Sequence, residues 1–207
     1  RNCFVIHSGA FCGSSIEKVA FSDNSLICIE KCAFAHSVSL NKIHLPNSLR
    51  VIGEEAFINC QNLDSIEFEP MTKLKEIPRF CFAFSGLKTV RLPISVEVIK
   101  NSAFYFCQNL KMVNLEKTNL RFIGDLAFCE DNLTNIKLPS SIKFVGSNAF
   151  GSNKSINLID FSKVNKIKET NQLPIISFIK LAKKSNSRLS RAIKKFIKKQ
   201  IQEIKQK

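Results

Sequence analysis

The sequence predicts an α/β repeat solenoid, in which short strands stack in parallel and short helical turns connect them. The first observation is a phenylalanine, usually preceded by alanine, that recurs every 22 to 25 residues. The second is a set of apolar columns that keep nearly constant spacing from this phenylalanine in each unit. Such self-similarity is typical of solenoids, because a single unit cannot bury its apolar side chains without neighbours.

The recurring phenylalanines mark seven units along the chain. The dipeptide is Ala-Phe in six of them and Cys81-Phe82 in the other. Buried rings without polar atoms need no hydrogen-bond partner, so we expect these side chains to be structural. The repeat phenylalanines are Phe11, Phe34, Phe57, Phe82, Phe104, Phe128 and Phe150.

Two further patterns predict extended segments within each unit. A main strand is expected where apolar-x-x-apolar-x-apolar recurs, as in residues 40–45. A second segment, apolar-x-x-Ile/Val, ends five residues before each phenylalanine, as in residues 49–52. Proline follows several main strands, as at Pro46, and glycine follows several second segments, as at Gly53, where the chain must bend. The predicted unit is therefore a strand, a proline turn, a second extended segment and a helical turn carrying Ala-Phe.

These residues resemble a known repeat family. The segment Leu40–Phe57, LNKIHLPNSLRVIGEEAF, and the following Cys60-Gln-Asn-Leu63 resemble the repeat of the BspA-like leucine-rich-repeat proteins, over about residues 1–162. The resemblance implies a leucine-rich-repeat solenoid with a parallel concave sheet. It also implies surface or secreted proteins that act in adhesion and partner binding, although some members look intracellular. A particular partner does not follow, because a repeat scaffold hosts many functions.

Charge divides the chain into two parts. Residues 1–162 contain 17 Lys/Arg against 15 Asp/Glu, and residues 163–207 contain 14 against 2, which together give the net charge of +14. We predict a solenoid over residues 1–162. Residues 163–207 are predicted to hold a degenerate last repeat and a basic amphipathic helical tail.

The outward positions of the main strand form the candidate partner-binding surface. Side chains alternate along a strand, so the residues between the apolar columns face solvent on the predicted concave sheet. This row is mixed in charge, which argues against nucleic acid there and suits a protein or peptide; an ordinary solvated sheet face is the alternative. The candidate residues are Lys42, His44, Glu67, Thr89, Arg91, Met112, Asn114, Asn135 and Lys137.

The tail provides a second candidate surface. Its apolar residues fall within an arc of about 140° on a helical projection and are Leu189, Ile193, Phe196, Ile197, Ile201 and Ile204. The candidate anion-binding residues on the other side are Arg188, Arg191, Lys194, Lys195, Lys198 and Lys199. Three interpretations stay open: a cap on the end of the solenoid, attachment to an anionic membrane surface, or capture of an acidic protein or nucleic acid.

No motif indicates catalysis, a cofactor or a metal. The chain lacks G-x-S-x-G, P-loop and H-E-x-x-H motifs, so an enzyme is not expected. Cys28, Cys32 and His36 are spaced by fours, but Cys28 falls on an extended segment, so no zinc site is expected. No neighbouring units share a cysteine column, which argues against a ladder of disulfides. The predicted function is a non-catalytic, monomeric protein-interaction module.

The compartment is left open by the sequence. No stretch of about 18 apolar residues occurs, so no transmembrane helix is expected. The chain starts at Arg1 without an apolar leader, and its eight cysteines show no evident pairing, which favours a cytoplasmic location. The family resemblance favours the cell surface instead.

Overall fold

The computed structural model describes residues 4–21 and 25–160. Within these residues the secondary structure consists of short strands and one 3-10 turn at Leu115–Lys117. The strands are β1 (Phe4–Ile6), β2 (Lys18–Val19), β3 (Leu26–Ile29), β4 (Lys42–Leu45), β5 (Val51–Ile52), β6 (Ser65–Phe68), β7 (Glu76–Ile77), β8 (Thr89–Val90), β9 (Val98–Ile99), β10 (Met112–Val113), β11 (Phe122–Ile123), β12 (Asn135–Lys137), β13 (Phe144–Val145) and β14 (Leu158–Asp160).

The strands form two parallel rows, one for each extended segment of the repeat. Even-numbered strands are the predicted main strands and pair in the orders β2-β4-β6-β8-β10 and β12-β14. Odd-numbered strands are the second segments and pair in the orders β1-β3-β5 and β7-β9-β11-β13. Equivalent repeat positions are in register, as where Ile43 lies opposite Ile66 and His44 opposite Glu67. The predicted parallel solenoid of about seven units is confirmed.

Each row is interrupted once, at a unit of unusual length. The segment from Glu69 to Glu76 is two residues longer than the equivalent segments 46–51, 93–98 and 139–144, and here β5 and β7 are not paired. In the main row, the 3-10 turn at Leu115–Lys117 follows β10, and β10 is not paired with β12. The extra residues in one row and the 3-10 turn in the other therefore interrupt strand pairing, while the buried apolar columns continue through both units.

We predicted a helical turn around each repeat phenylalanine, and this prediction is wrong. The described part of the chain is a β-solenoid with almost no helix. Each repeat phenylalanine lies between two residues of positive φ, two positions before it and two after it. Around Phe34 these are Cys32, with φ 56°, and His36, with φ 59°. In the first unit both positions are glycine, Gly9 and Gly13. Alternation of right- and left-handed residues cannot continue as an α-helix.

Hydrogen bonding between units explains why tight turns replace the helix. The N–H groups of Cys32, Phe34 and His36 donate to carbonyl oxygens in the next unit at 3.0, 2.8 and 2.8 Å. In a helix, such N–H groups would donate to carbonyl oxygens of the same segment. Here the alternating backbone conformation points them towards the next unit. The segments around the repeat phenylalanines thus form a third side of the solenoid, which we call the turn face.

The repeat phenylalanines form a continuous stack in the core. Neighbouring rings have centroids 5.0 to 5.5 Å apart and lie within 18° of parallel. The five rings from Phe34 to Phe128 are fully buried. The expected structural role of these residues is confirmed, because each ring covers the next along the solenoid.

Glycine after the second strand allows successive units to approach closely. A Cβ on Gly53 would lie 2.4 Å from the backbone nitrogen of Lys31 and 2.8 Å from its Cα. We expect Gly53→Ala to lower the free energy of unfolding by at least about 1 kcal/mol, because backbone must move to admit the methyl group. The measurement is urea denaturation, with Gly13→Ala as a control at which space is open but φ is positive. Equal stability of Gly53→Ala and the parent chain would contradict this explanation.

Candidate functional site

The candidate partner-binding residues lie on the outward side of the main row of strands. Strand pairing places Lys42 beside Ser65, Ser65 beside Thr89 and Thr89 beside Met112. Arg91 and Asn114 directly follow β8 and β10, and all but Asn114 among the nine predicted residues are exposed. Asn135 and Lys137 lie on β12, beyond the interruption of the row. The structure therefore brings seven of them to one sheet and the last two to its continuation.

Charges at the first part of this surface are paired with one another. The Lys42 Nζ lies 2.8 Å from Glu67 Oε1, and His44 Nδ1 lies 3.3 Å from Glu67 Oε2. The other ring nitrogen of His44 lies 3.3 Å from Oε1 of Glu69, a residue that the sequence did not single out. Hydrogen bonds from Lys42 and His44 lower the pKa of the Glu67 carboxyl. Because these groups remain half exposed, the pairs contribute little to stability.

The middle of the surface has contact groups that are not used internally. Met112 is 53% exposed, and the neighbouring Thr89 is also exposed. Arg91 is exposed and makes no ion pair among the residues that the structure describes. Asn114 differs, because its Oδ1 accepts the Leu92 N–H at 2.7 Å and its Nδ2 donates to the Leu92 carbonyl at 3.2 Å. Asn114 therefore supports the strand end, and the available contact residues are Thr89, Arg91 and Met112.

The far end of the surface is weakly tied to the 3-10 turn. Lys137 Nζ lies 3.9 Å from Glu116 Oε2, and both side chains are partly solvent accessible. Asn135 is exposed and faces Leu158 on the neighbouring strand. These side chains extend the surface beyond the interruption without adding a concentrated charge.

The residues considered for metal binding are engaged separately. Cys28 lies on β3, whereas Cys32 and His36 flank Phe34 on the turn face. The Cys32 thiol donates to Glu55 Oε2 at 3.3 Å, and His36 Nδ1 is 3.0 Å from the Asn59 amide nitrogen. Across residues 4–21 and 25–160, no group of three or more His, Cys, Asp or Glu side chains could hold a metal ion.

The thiols in the described residues are unpaired, and several are core residues. Cys60, Cys81 and Cys107 are buried, and burial raises the pKa of the Cys60 thiol to about 12. A thiol that keeps its proton is a poor nucleophile. These cysteines pack as small apolar side chains, and Cys60 and Cys107 also donate to backbone carbonyls.

The repeat geometry agrees with a known family. The family model described as BspA type leucine rich repeat region matches in six copies, over residues 4–117 and 75–173. The chain belongs to the BspA-type leucine-rich-repeat family. The resemblance seen in the sequence is thereby confirmed, and repeats of this family are typically non-catalytic.

Solved structures of other proteins are similar to this chain. The pneumococcal vaccine antigen PcpA is 27% identical, with a TM-score of 0.57, over 77% of this chain and 36% of PcpA. This chain thus spans about a third of that antigen. A leucine-rich-repeat protein of T. pallidum is 21% identical, with a TM-score of 0.49, over 83% of this chain and 77% of that protein. No curated protein matches the chain.

Some predictions for this BspA-type protein lie outside the described residues. The tail candidates, from Arg188 to Lys199, fall there, as does the division of the chain at residue 162. No helix within the described ranges is long and apolar enough to cross a membrane. The membrane, polyanion and cap interpretations of the tail therefore stay predictions.

The sequence analysis did not predict that aromatic side chains on the turn face are exposed. The departure from Ala-Phe in residues 79–84, RFCFAF, was visible as an irregular repeat. In the structure this segment and the following unit place aromatic side chains at solvent-exposed turn positions. The sequence analysis predicted a helical turn here, and a helix would point these aromatic side chains in different directions from those in the structure.

Proposed function

We propose that this chain is a non-catalytic protein-interaction module whose partner contacts the outward surface of the main strands between Lys42 and Lys137. The observation that carries the proposal concerns Arg91 and Met112, which are exposed on neighbouring units, Met112 being paired with Thr89 two residues before Arg91. Neither side chain forms an ion pair or a hydrogen bond among the described residues. Arginine and methionine are enriched in protein interfaces relative to other protein surface. The paired charges around Glu67 would form the polar rim of such an interface.

The buried, paired strands beneath these residues support a binding role. Val90 and Val113, which precede Arg91 and Asn114, are buried and lie opposite one another in the parallel ladder. The surface is therefore held in place before a partner arrives, which lowers the entropy lost on binding. Similarity to a pneumococcal antigen supports a location at a cell surface.

A charge reversal tests this surface. We expect Arg91→Glu to weaken partner binding at least about tenfold, or about 1.4 kcal/mol, because an interface arginine is commonly a main source of binding energy. A binding partner is first isolated on the immobilised parent chain from surface extracts, and its Kd is then measured for each variant. Lys143→Glu is the matched control, since Lys143 is exposed beside the other row of strands. An equal loss in both variants, or a lowered Tm in Arg91→Glu, would contradict the assignment.

A further inference from the structure

A cluster of aromatic side chains lies on the turn face in the fourth and fifth units. We define the aromatic patch as Phe80, Phe84, Tyr105 and Phe106. The Phe84 ring centroid lies 5.5 Å from that of Tyr105 and 5.4 Å from that of Phe106. Phe84 is 39% exposed and Phe106 is 37% exposed. Single exposed apolar side chains are normal on a protein, whereas exposed rings that contact one another indicate an interaction surface.

The backbone under the patch supports this interpretation. Phe80, Phe84 and Phe106 have φ of 54°, 60° and 60°, values that are unfavourable for bulky side chains. The positions equivalent to Phe84 and Phe106 in other units carry small or polar residues, namely Gly13, His36, Asn59, Glu130 and Ser152. The turn conformation therefore does not require aromatic rings at these positions, and binding gives the rings a role.

A carboxylate continues each column of the patch in the neighbouring unit. Glu55 occupies the position of Phe80 one unit earlier. Glu130 occupies the position of Phe106 one unit later, and the Phe106 N–H donates to the carbonyl oxygen of the adjacent Cys129 at 2.9 Å. Successive units of a parallel ladder are about 4.8 Å apart, so both carboxylates border the rings.

These carboxylates have no cationic partner within the described residues. Glu55 accepts a hydrogen bond from the Cys32 thiol at 3.3 Å, but neither Glu55 nor Glu130 forms an ion pair there. The same two turns contain the exposed Glu54 and Asp125, which also form no ion pair within residues 4–21 and 25–160. The border of the aromatic patch is therefore acidic, and its charge is not neutralised on the turn face.

Charge indicates which kind of partner fits the patch. In the turn segments of the third to sixth units, residues 53–61, 78–86, 101–109 and 124–132, the one cation is Arg79. Its guanidinium carbon lies 5.0 Å from the centroid of the Phe80 ring. The carboxylates would repel an anionic membrane or a nucleic acid, and a second copy placed patch to patch would bring like charges together. A basic segment with apolar side chains can both cover the rings and neutralise the border.

We propose that the aromatic patch is a second interaction surface, which binds a basic, apolar segment of a partner protein. The apolar side chains of that segment cover Phe84 and Phe106, and its lysine or arginine side chains reach Glu55 and Glu130. The turn face is a different side of the solenoid from the surface around Arg91. Loss of binding at the patch and loss of binding in Arg91→Glu are therefore separate results.

A model peptide tests the apolar part of this surface in the full chain. The probe is a short fluorescein-labelled peptide of leucine and lysine, patterned as an amphipathic helix, and its Kd is measured by fluorescence anisotropy. The net charge of +14 opposes binding of a basic probe, so binding requires a local surface that attracts it. Phe84→Asn/Phe106→Ser installs residues that other units carry at these positions. We expect this variant to bind at least about tenfold more weakly at unchanged Tm, because aromatic side chains are common sources of binding energy.

The matched control removes two rings elsewhere on the solenoid. Phe122 and Phe144 lie on β11 and β13 and stack on each other at 4.6 Å. Phe122→Asn/Phe144→Ser should keep the parent Kd for the probe. The proposal is overturned by a parent chain that does not bind the probe, or by an equal loss of binding in both double variants.

A second pair of variants tests the acidic border. We expect Glu55→Gln/Glu130→Gln to bind the probe at least about threefold more weakly at low salt, the scale of two exposed ion pairs. The difference should shrink at high salt, where exposed charges are screened. Glu17→Gln/Glu116→Gln removes two carboxylates beside the main strands and should keep the parent Kd. Equal or tighter binding of a peptide with glutamate in place of lysine would overturn the choice of a basic partner.

The single tyrosine shows where the probe binds. Tyr105 lies within the patch, and the chain has no other tyrosine and no tryptophan, so its intrinsic fluorescence reports on this site alone. We expect the unlabelled peptide to reduce quenching of Tyr105 by acrylamide in the parent chain. Binding without protection of Tyr105 would overturn the proposal. Dimerisation of the parent chain that Phe84→Asn/Phe106→Ser abolishes, measured by sedimentation, would also overturn it, because a second copy would then be the occupant.

Discussion

Phe104→Ala is expected to lower the free energy of unfolding by about 3–5 kcal/mol, the range for removal of a buried phenylalanine ring. The ring is fully buried and stacks on Phe82 at 5.2 Å and on Phe128 at 5.0 Å. In a solenoid each unit is stabilised mainly by its two neighbours. Loss of a central ring therefore weakens two contacts between units at once, and the m-value should fall if the two halves begin to unfold separately.

The first ring of the stack provides the control for this prediction. Phe11 is only partly buried and stacks on Phe34 at 5.1 Å. We expect Phe11→Ala to cost less than half as much as Phe104→Ala in urea denaturation followed by circular dichroism. Equal losses for the two variants would show that the stack does not determine cohesion between units.

Asp131→Asn is expected to raise the free energy of unfolding by about 1–3 kcal/mol near pH 7, the usual cost of a buried unsatisfied polar group. Asp131 lies three residues after its repeat phenylalanine, a position that is buried in this unit. Its Oδ1 accepts the Cys107 N–H at 2.8 Å, but its Oδ2 has no hydrogen-bond partner. An ionised carboxylate cannot donate, so Asp131 must take up a proton, at a cost in free energy near pH 7, to act as the donor that this position requires.

Other units show what the position requires. In four of them the side chain at this position donates to the carbonyl oxygen of the repeat phenylalanine one unit earlier. Ser37 reaches Phe11 at 2.6 Å, and Asn153 reaches Phe128 at 2.6 Å. The Asn153 Oδ1 also accepts the Leu133 N–H at 3.0 Å, so an amide satisfies a donor and an acceptor together. Asparagine at 131 should do the same.

The effect of Asp131→Asn should depend on pH in a defined direction. Burial raises the pKa of the Asp131 carboxyl well above its ordinary value, and the Cys107 N–H opposes this only in part. The folded state therefore holds a proton that the unfolded state releases. This contribution to stability is fully present below the unfolded pKa and is lost as pH rises through the folded pKa. The advantage of Asp131→Asn over the parent chain should be small near pH 4 and grow as the pH increases.

Comparison with the parent at each pH isolates this carboxyl from the others. Glu30, Glu67 and Glu97 have lowered pKa values, so their contributions are lost as the pH falls, but they are shared by both chains. Asn153→Asp is the converse variant and should lose stability most strongly at neutral pH. A pH-independent difference between Asp131→Asn and the parent would contradict this account.

The sequence predicted the repeat, its parallel strands and its core correctly. Ile43 and Ile66 belong to one apolar column, and both are buried at equivalent positions in neighbouring units. The regular spacing of apolar residues in the sequence therefore reveals which positions are buried. The helical turn was wrong because turn conformation depends on hydrogen bonds to the next unit. Most residues at positive φ here are not glycine, so composition did not reveal the conformation.

For the candidate surface, alternation along the strands predicted which residues face outward. It could not predict which of them are already engaged. Asn114 supports Leu92 and His44 contacts both Glu67 and Glu69, whereas Arg91 remains available. Such pairings depend on the distances between side chains of neighbouring units. The sequence of a single repeat does not contain these distances.

The amino-acid sequence by itself determined the period, the inward side of each strand and the family, because burial imposes the same residue type at each turn of the solenoid. Only the tertiary structure decided how the turn face is built. Its N–H groups bond to the next unit rather than to their own, and this arrangement exposes the rings of Phe84 and Phe106 and leaves Asp131 without a second partner. These features arise from contacts between units, and a one-dimensional pattern does not record them.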